Sequence, residues 1–546
     1  MPSICETEFV DFVSSQRPEH PGATLAVPVG VRLLADQLTP VLAYRRLVSA
    51  DERTAPSFML ESVEGGERQG RHSILGADPA VEVVAFGHAV TITDRRTSDA
   101  RRTERQADPM SALREISQRI RVVVPTGAIE RKELPACPLG GWFGYASYDT
   151  VRYAEPEKLH ARNAPPDDRR LPDLHFGLYP GVVAFDNVDK LVHVVQLALV
   201  DPDDDPAQAY RAAVETLESR VRQIQTHVKP LASGRFPPSA SGEAEPLPSN
   251  TTRDEHRAMV ERAKEYIRAG DIFQVVLGQR FERSTSVDPF DVYRALRAVN
   301  PSPYMVYLQA AGTILVASSP EILCRVRDEG TVGDPRMIVT NRPLAGTRRR
   351  GRSAEEDAAL ERELLADAKE RAEHVMLVDL GRNDVGRVCQ PGTIELSDVM
   401  SIERYSHVMH ISSTVTGELR ADLDCWDALR AALPVGTISG APKIRAMQII
   451  DELEKVRRGP YGGGMGWVGL DGQMDIALAL RTIVVPTDLY RPDTPSAKWT
   501  YHVQAAGGIV ADSDADAEFM ETVNKAAALG RAIDVAESAF SDPEGG

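Results

Sequence analysis

The period of hydrophobic and polar positions changes along this chain, and the changes mark its elements. The run PAVEVVAF, and the pair GVVAF and KLVHVVQLALV on either side of Asp186 to Asp189, read as antiparallel strands joined by turns. After Arg253 the spacing lengthens. Met259, Ala263, Tyr266 and Ile267 fall on one helical face, and Gly270-Asp271 ends that helix before the strand-like IFQVVLGQRFE. A further helix is expected after Ser353, with Glu356 completing a capping box and Leu360, Leu364, Ala368 and Ala372 forming its apolar stripe. Glu370 and Glu373 project from a different face of it. TILVAS, ISSTVTGEL, GMGWVGL, MDIALALRTIVV and WTYHVQAAGGIV read as strands, several with the alternation of antiparallel sheet.

The pattern predicts an α+β chain without a solenoid repeat. In KPLASGRFPPSASGEAEPLPSN, proline, serine, glycine and alanine displace the large apolar residues that packing requires, which predicts a linker. The expected organisation is an N-terminal region 1–228, a linker 229–252 and a C-terminal region 253–540.

Composition narrows the function classes. A net charge of −17 over 546 residues argues against a nucleic-acid binder, which needs clustered Lys and Arg on a positive surface. The basic stretch GTRRRGR is followed at once by SAEEDAALERE and reads as a local loop. Five scattered cysteines, odd in number and without C-x-x-C spacing, suggest neither a disulfide frame nor a zinc site and fit a reducing compartment. No segment approaches the ~20 apolar residues of a membrane helix, and the N-terminus lacks a signal-like apolar region, so a cytoplasmic protein without membrane partners is expected.

Two acidic pairs carry the candidate chemistry. Glu518 and Glu521 lie on one helical face with Lys525 above Glu521, and Glu370 and Glu373 repeat the three-residue spacing. Read singly, each pair is a solvated face. Brought together, four carboxylates repel unless protons or a cation compensate them, and Mg²⁺ takes carboxylate oxygens while keeping positions for water and an anionic substrate. Neither glycine-bearing segment is a nucleotide loop: GTISGAPK lacks P-loop spacing, and YGGGMGWVG enters a strand. Pro442 suits the start of the helix carrying Ile444, Met447, Ile450 and Leu453, whose free N–H groups face either an anion or ordinary caps.

ASSPEILCRV, RPLAGTRRRG, RAEHVMLVDLGRNDVGRV, PVGTISGAPKIRAM, GPYGGGMGWVG and EFMETVNKA together resemble the chorismate-utilising enzyme family. FMLESVEGGERQGRHSILG and NPSPYM are similar to its anthranilate-forming large-subunit branch, and the likeness spans roughly residues 40 to 530. The resemblance implies two large antiparallel sheets packed face to face and flanked by helices. It also implies conversion of chorismate and ammonia to anthranilate and pyruvate, a carbon–oxygen lyase reaction of tryptophan biosynthesis.

By the same resemblance, Glu373 and Glu521 are direct Mg²⁺ ligands, with Glu370 and Glu518 in the acidic shell. Lys525, Gly346 and Thr347 hold the ring-carboxylate end of chorismate, and Tyr461 and Arg481 its enolpyruvyl carboxylate. Ala506, Gly507 and Gly508 stand where the family usually reads Gly-Ala-Gly, which puts contacts at 506 in question. Glu321 is the implied general acid, and His410 and Thr437 lie near the reacting carbons. Gln274 stands where water-adding relatives carry a lysine base, and Ala345 where aminodeoxychorismate-forming relatives carry a lysine nucleophile. Glu61, Ser62, Pro303, Tyr304 and Met305 resemble a tryptophan site for feedback inhibition. No cysteine sits in a G-x-C-x-G elbow, so a separate glutamine amidotransferase subunit is the implied partner. The alternatives are an aminodeoxychorismate-forming subunit and, from another class, a catalytically silent tryptophan-binding regulator.

Overall fold

The computed structural model describes residues 2–540 except 50–51, 63–69, 97–99, 227–230, 232, 237–246, 332–333, 406–407 and 493–496. Residues 229–230, 232 and 237–246 of the expected linker, and part of the motif after Ser62, therefore lie outside the described residues, whereas Leu247 at the linker's end is buried in the core. The described strands form two twelve-stranded sheets. Neighbours pair antiparallel, apart from Thr24–Leu34 with Ile120–Val122, which is parallel. Apolar side chains between the sheets pack them face to face. Phe58 of the first sheet stacks on Phe143 of the second at 3.7 Å between ring centroids, and Val306, Leu315, Met465 and Val484 fill the same layer. Helices cover the outer faces.

Each sheet joins a block of strands from before residues 229–252 to a block from after them at a single pairing. In the first, Ser57–Glu61 pairs with Tyr304–Ala310; in the second, Gly141–Ala146 pairs with Gly464–Gly469.

The expected helix at Arg253–Arg268 is present, started by a Thr252/Glu255 capping box and ended near Gly270 at φ +82°. It leads into Gln274–Thr285, which pairs with Trp499–Ile509 so that Val276 faces Gly508 and Leu277 faces Gly507.

Two expectations are corrected. The helix after Ser353 is two helices, Ala354–Ala366 and Ala368–Gly386, because Asp367 caps a new start by accepting from the backbone of Lys369 and Glu370. The break resets the helical phase. Leu364 is buried, whereas Ala368 and Ala372 are exposed and the second helix buries His374, Leu377 and Val385. Glu356 does not complete the box either: its carboxylate accepts from the Arg352 N–H at 2.6 Å.

The run MDIALALRTIVV is likewise two strands in different sheets, Met474–Leu478 in the second and Thr482–Pro486 in the first. The chain crosses between sheets at Arg481, a non-glycine residue at φ +45° whose carbonyl accepts from Ser318 N–H. A parallel crossing runs from Thr313–Ser319 to Ile322–Asp328 and carries Glu321. The two crossings are stitched by Ser319 Oγ donating to the Leu478 carbonyl at 2.5 Å and Leu478 N–H donating to the Glu321 carbonyl at 3.0 Å.

Candidate active site

The crossing at Glu321 holds its carboxyl inside the protein. Its side chain is 2% exposed, and Thr437, from the short helix Gly436–Ser439, donates to Oε1 at 3.0 Å. Burial pushes the carboxyl up to about 8, outweighing the Thr437 hydrogen bond, so near neutral pH it carries a proton it can donate.

The edge strand Leu344–Arg349 supplies the opposing wall. Its register against Val408–Glu418 slips between Ala345 and Thr347, and Gly346 takes the slip at φ +71°, a bulge that suits glycine. His410 lies opposite. Its Nδ1 donates to the Gly346 carbonyl at 3.1 Å and sits 3.0 Å from the Thr347 hydroxyl. Since a carbonyl can only accept, the proton is on Nδ1 and Nε2 keeps its lone pair, buried and without a partner among the described residues. Burial and the Arg481 charge depress this imidazole to about 4, so it is neutral. Ala345, paired with Ile411, is buried on the same strand.

The glycine-bearing end of Trp499–Ile509 forms the floor. Tyr461 is buried and reaches the backbone of Ala506, whose carbonyl also accepts from Lys525 Nζ at 2.9 Å. A Cβ on Gly507 would lie 3.1 Å from Glu518 Oε2, and one on Gly508 only 2.5 Å from Gln274 Nε2. Gly507 must lack a side chain for Glu518 to approach, and Gly508 for Gln274 to lie against the strand end.

The two acidic pairs come from the helices Ala368–Gly386 and Ala515–Phe540. Each carboxylate is turned onto a protein partner: Glu373 accepts from Gln274 at 3.1 Å, Glu518 from Ser513 at 2.7 Å, Glu521 pairs with Lys525 at 2.7 Å and Glu370 with Arg348 at 3.0 Å. So arranged, no three acidic or other ligating side chains among the described residues close into a metal-holding cluster. They do sense one another. The Glu373 carboxyl is raised by burial, then by Glu370 and Glu521; that of Glu518 is raised by burial, then by Glu521.

The donor set fits a hard cation. Glu518 Oε2 and Gln274 Oε1 are buried oxygens without partners among the described residues, beside the side-chain-free Gly507 and Gly508.

Glu61, Pro303, Tyr304 and Met305 are brought together by the pairing of Ser57–Glu61 with Tyr304–Ala310, which sets Met305 opposite Glu61. Glu61 accepts from Tyr293 at 2.6 Å and pairs with Arg297 at 2.8 Å. With Ser62 these residues line a cavity of about 400 Å³. Glu321, Leu344, Glu403 and Tyr405 line it too, a proximity that sequence distance hid. Sequence reasoning also missed Tyr405, whose ring lies 5.6 Å from that of His410 and whose hydroxyl donates to Glu403 at 2.5 Å. Arg348 was missed as well. Its signal was present in the basic run GTRRRGR, but nothing local tied one of those arginines to Glu370.

A family profile described as chorismate binding enzyme matches residues 56–531. The chain belongs to that family, and the candidate site described above lies where the chain crosses between the two sheets. Within the family it is similar to anthranilate synthases. It is 52% identical to anthranilate synthase alpha subunit 1, chloroplastic, of Oryza sativa subsp. japonica, over 94% of this chain and 89% of that protein. It is 41% identical to anthranilate synthase component 1 of Acetivibrio thermocellus, over 93% and 96%. Among solved structures, anthranilate synthase component I from Streptococcus pneumoniae TIGR4 superposes with a TM-score of 0.68 at 32% identity, covering 92% of this chain and 99% of that one.

Proposed function

We propose that this chain works as component I of anthranilate synthase, converting chorismate and ammonia to anthranilate and pyruvate. The observation that carries the mechanism is Glu321, a fully buried carboxyl kept protonated to about 8 beside Thr437. Ammonia adds at C2 of chorismate as the C4 hydroxyl leaves, and Glu321 gives that hydroxyl the proton it needs to depart as water. Loss of the enolpyruvyl group as pyruvate, with the C2 proton, then makes the ring aromatic. The neutral His410 presents its Nε2 lone pair to the same space as a proton acceptor. Arg481 and Tyr461 bind the enolpyruvyl carboxylate, and Lys525 with the Gly346-Thr347 backbone binds the ring carboxylate.

Glu373 and Glu521 would hold Mg²⁺, with Glu370 and Glu518 reaching it through water; the ion would neutralise and position the ring carboxylate. Gln274 offers no general base to activate water, and Ala345 offers no nucleophile, which separates this chain from isochorismate- and aminodeoxychorismate-forming relatives. A silent regulator would not need Glu321 held in its acid form.

The cavity beside Glu61 and Ser62 would take tryptophan as feedback inhibitor; about 400 Å³ is in the range of small-molecule sites. None of the five cysteines stands in an amidotransferase elbow, so nitrogen from glutamine would arrive through a separate subunit. No described helix is long and apolar enough to cross a membrane, and a cytoplasmic enzyme is proposed.

The test is chorismate, MgCl₂ and ammonium supplied to the purified chain at alkaline pH, read as anthranilate fluorescence. Fluorescence should vanish with EDTA, and glutamine alone should give none until an amidotransferase subunit is added. 4-Amino-4-deoxychorismate as the product, or turnover of glutamine by the chain alone, would overturn the reading.

A further inference from the structure

We propose that Arg348 is an internal counter-cation of the acidic site that competes with the metal for Glu370 and so sets the metal affinity. The inference rests on the metal reading above. Three consecutive arginines leave the edge strand Leu344–Arg349, and two of them serve the surface: Arg349 pairs with Glu356, and Arg350 with Asp357 and the Tyr405 carbonyl. Arg348 turns inward instead. Its guanidinium forks across Glu363 at 2.9 Å, Asp367 at 2.8 Å and Glu370 at 3.0 Å. Glu370 is the one of these that belongs to the acidic quartet, and its Oε2 packs 3.2 Å from where Gly346 would carry a Cβ. The carboxylate is thus gripped between the substrate-side bulge and a fixed positive charge.

Two observations make this more than an ion pair. The site has its own buried, unpartnered oxygens at Glu518 and Gln274, so it is built for a further donor-seeking group. Its second helix carries a half-exposed counterpart, Lys525 on Glu521, so each acidic pair has one cation beside it. The carboxylates of the two acidic pairs, without a metal, would repel one another. Arg348 lowers that repulsion while the site is empty of metal. When a cation arrives, Glu370 must turn from the guanidinium, which stays satisfied on Glu363 and Asp367. Arg348 is therefore a positioning residue that trades against the metal. A purely structural anchor for the helix Ala368–Gly386 would not trade.

The two roles give opposite signs in a metal titration. Arg348→Gln removes the competitor. MgCl₂ titrated calorimetrically into the full-length, EDTA-stripped chain should bind about fivefold more tightly, the worth of a partly exposed ion pair. The thermal midpoint in EDTA should fall, and its rise on adding MgCl₂ should exceed that of wild type. Arg348→Lys keeps the charge and should restore the wild-type affinity. Glu363→Gln, a change on the exposed side of the fork, frees Arg348 for Glu370 and should weaken Mg²⁺ binding; it decides the matter even if Arg348→Gln fails to fold. Unchanged or weaker Mg²⁺ binding in Arg348→Gln, or unchanged binding in Glu363→Gln, would overturn the competition. A wild-type chain that binds no Mg²⁺ would overturn the metal reading itself.

Discussion

Replacing Glu321 by glutamine tests the acid at the centre of the site while keeping its shape. In the wild type, burial holds this carboxyl protonated to about 8 against an ordinary 4.5. Between those values the folded chain keeps a proton that the unfolded chain has released, so folding loses stability as pH rises. The contribution is fully present below about 4.5 and gone above about 8. At ~1.4 kcal/mol per pH unit the window amounts to roughly 5 kcal/mol. That figure is a ceiling, because water entering on ionisation relieves part of the burial cost. Glu321→Gln has nothing to titrate. Urea denaturation of both proteins, at unit steps from about pH 5 to about pH 9, should show the wild-type midpoint sliding down relative to the variant and levelling beyond about 8. Turnover supplies the second reading. With rates normalised to free ammonia, wild-type activity should fall above about 8, and below that pH the variant should lose about 10²–10⁴-fold because an amide cannot protonate the departing hydroxyl. Parallel denaturation profiles would refute the raised acidity, and a variant turning over at the wild-type rate would refute the role.

Gly508→Ala drives a Cβ to within 2.5 Å of Gln274 Nε2, so Gln274 must swing away and withdraw its free buried Oε1 from the candidate cation site; Mg²⁺ dependence should shift to about tenfold higher concentration with little change in thermal midpoint, and an unchanged Mg²⁺ titration would refute the contact. Ser62→Arg puts a long cation into the 400 Å³ cavity and should abolish tryptophan inhibition while ammonia-dependent turnover survives. Calorimetry showing no tryptophan binding to the wild-type chain would sink the site as well. Ala345→Lys places an amine on the strand opposite His410 and should form a chorismate-derived adduct visible by intact-protein mass spectrometry; Ala345→Met controls for bulk, and anthranilate made at the wild-type rate would show that residue 345 does not face C2.

The strands and helices themselves were legible where one period held. The stripe Met259, Ala263, Tyr266 and Ile267 announced Arg253–Arg268, and strand-like runs announced Gln274–Thr285 and Trp499–Ile509. Periodicity failed at Asp367, where a polar residue of modest helix propensity serves as a cap and restarts the count, and at Arg481, where one apolar run serves two sheets. A hydropathy pattern reports whether a residue is buried, not by which layer. The site was legible as residue types in order, through the family resemblance. Its geometry was not, because Glu321 and Arg481 owe their places to two crossings whose pairing partners lie more than a hundred residues apart in the chain. The wall shared by Glu61 and Glu321 was invisible for the same reason.

The single pairing that joins the early and late halves of each sheet also sets a timetable for synthesis. When Gly141–Ala146 leaves the ribosome it can pair with Leu174–Tyr179 at once, but its other edge waits for Gly464–Gly469, roughly 300 residues later. At ~5–20 residues per second that edge stays unpaired for about 15 to 60 seconds, with its N–H and C=O groups open to any extended segment nearby. The edge of Ser57–Glu61 waits almost as long for Tyr304–Ala310. The nascent chain therefore passes through a long adolescence in which two wide, half-built sheets must be kept from strangers, and a premature stop late in the gene would release a product with both cores laid down and neither closed.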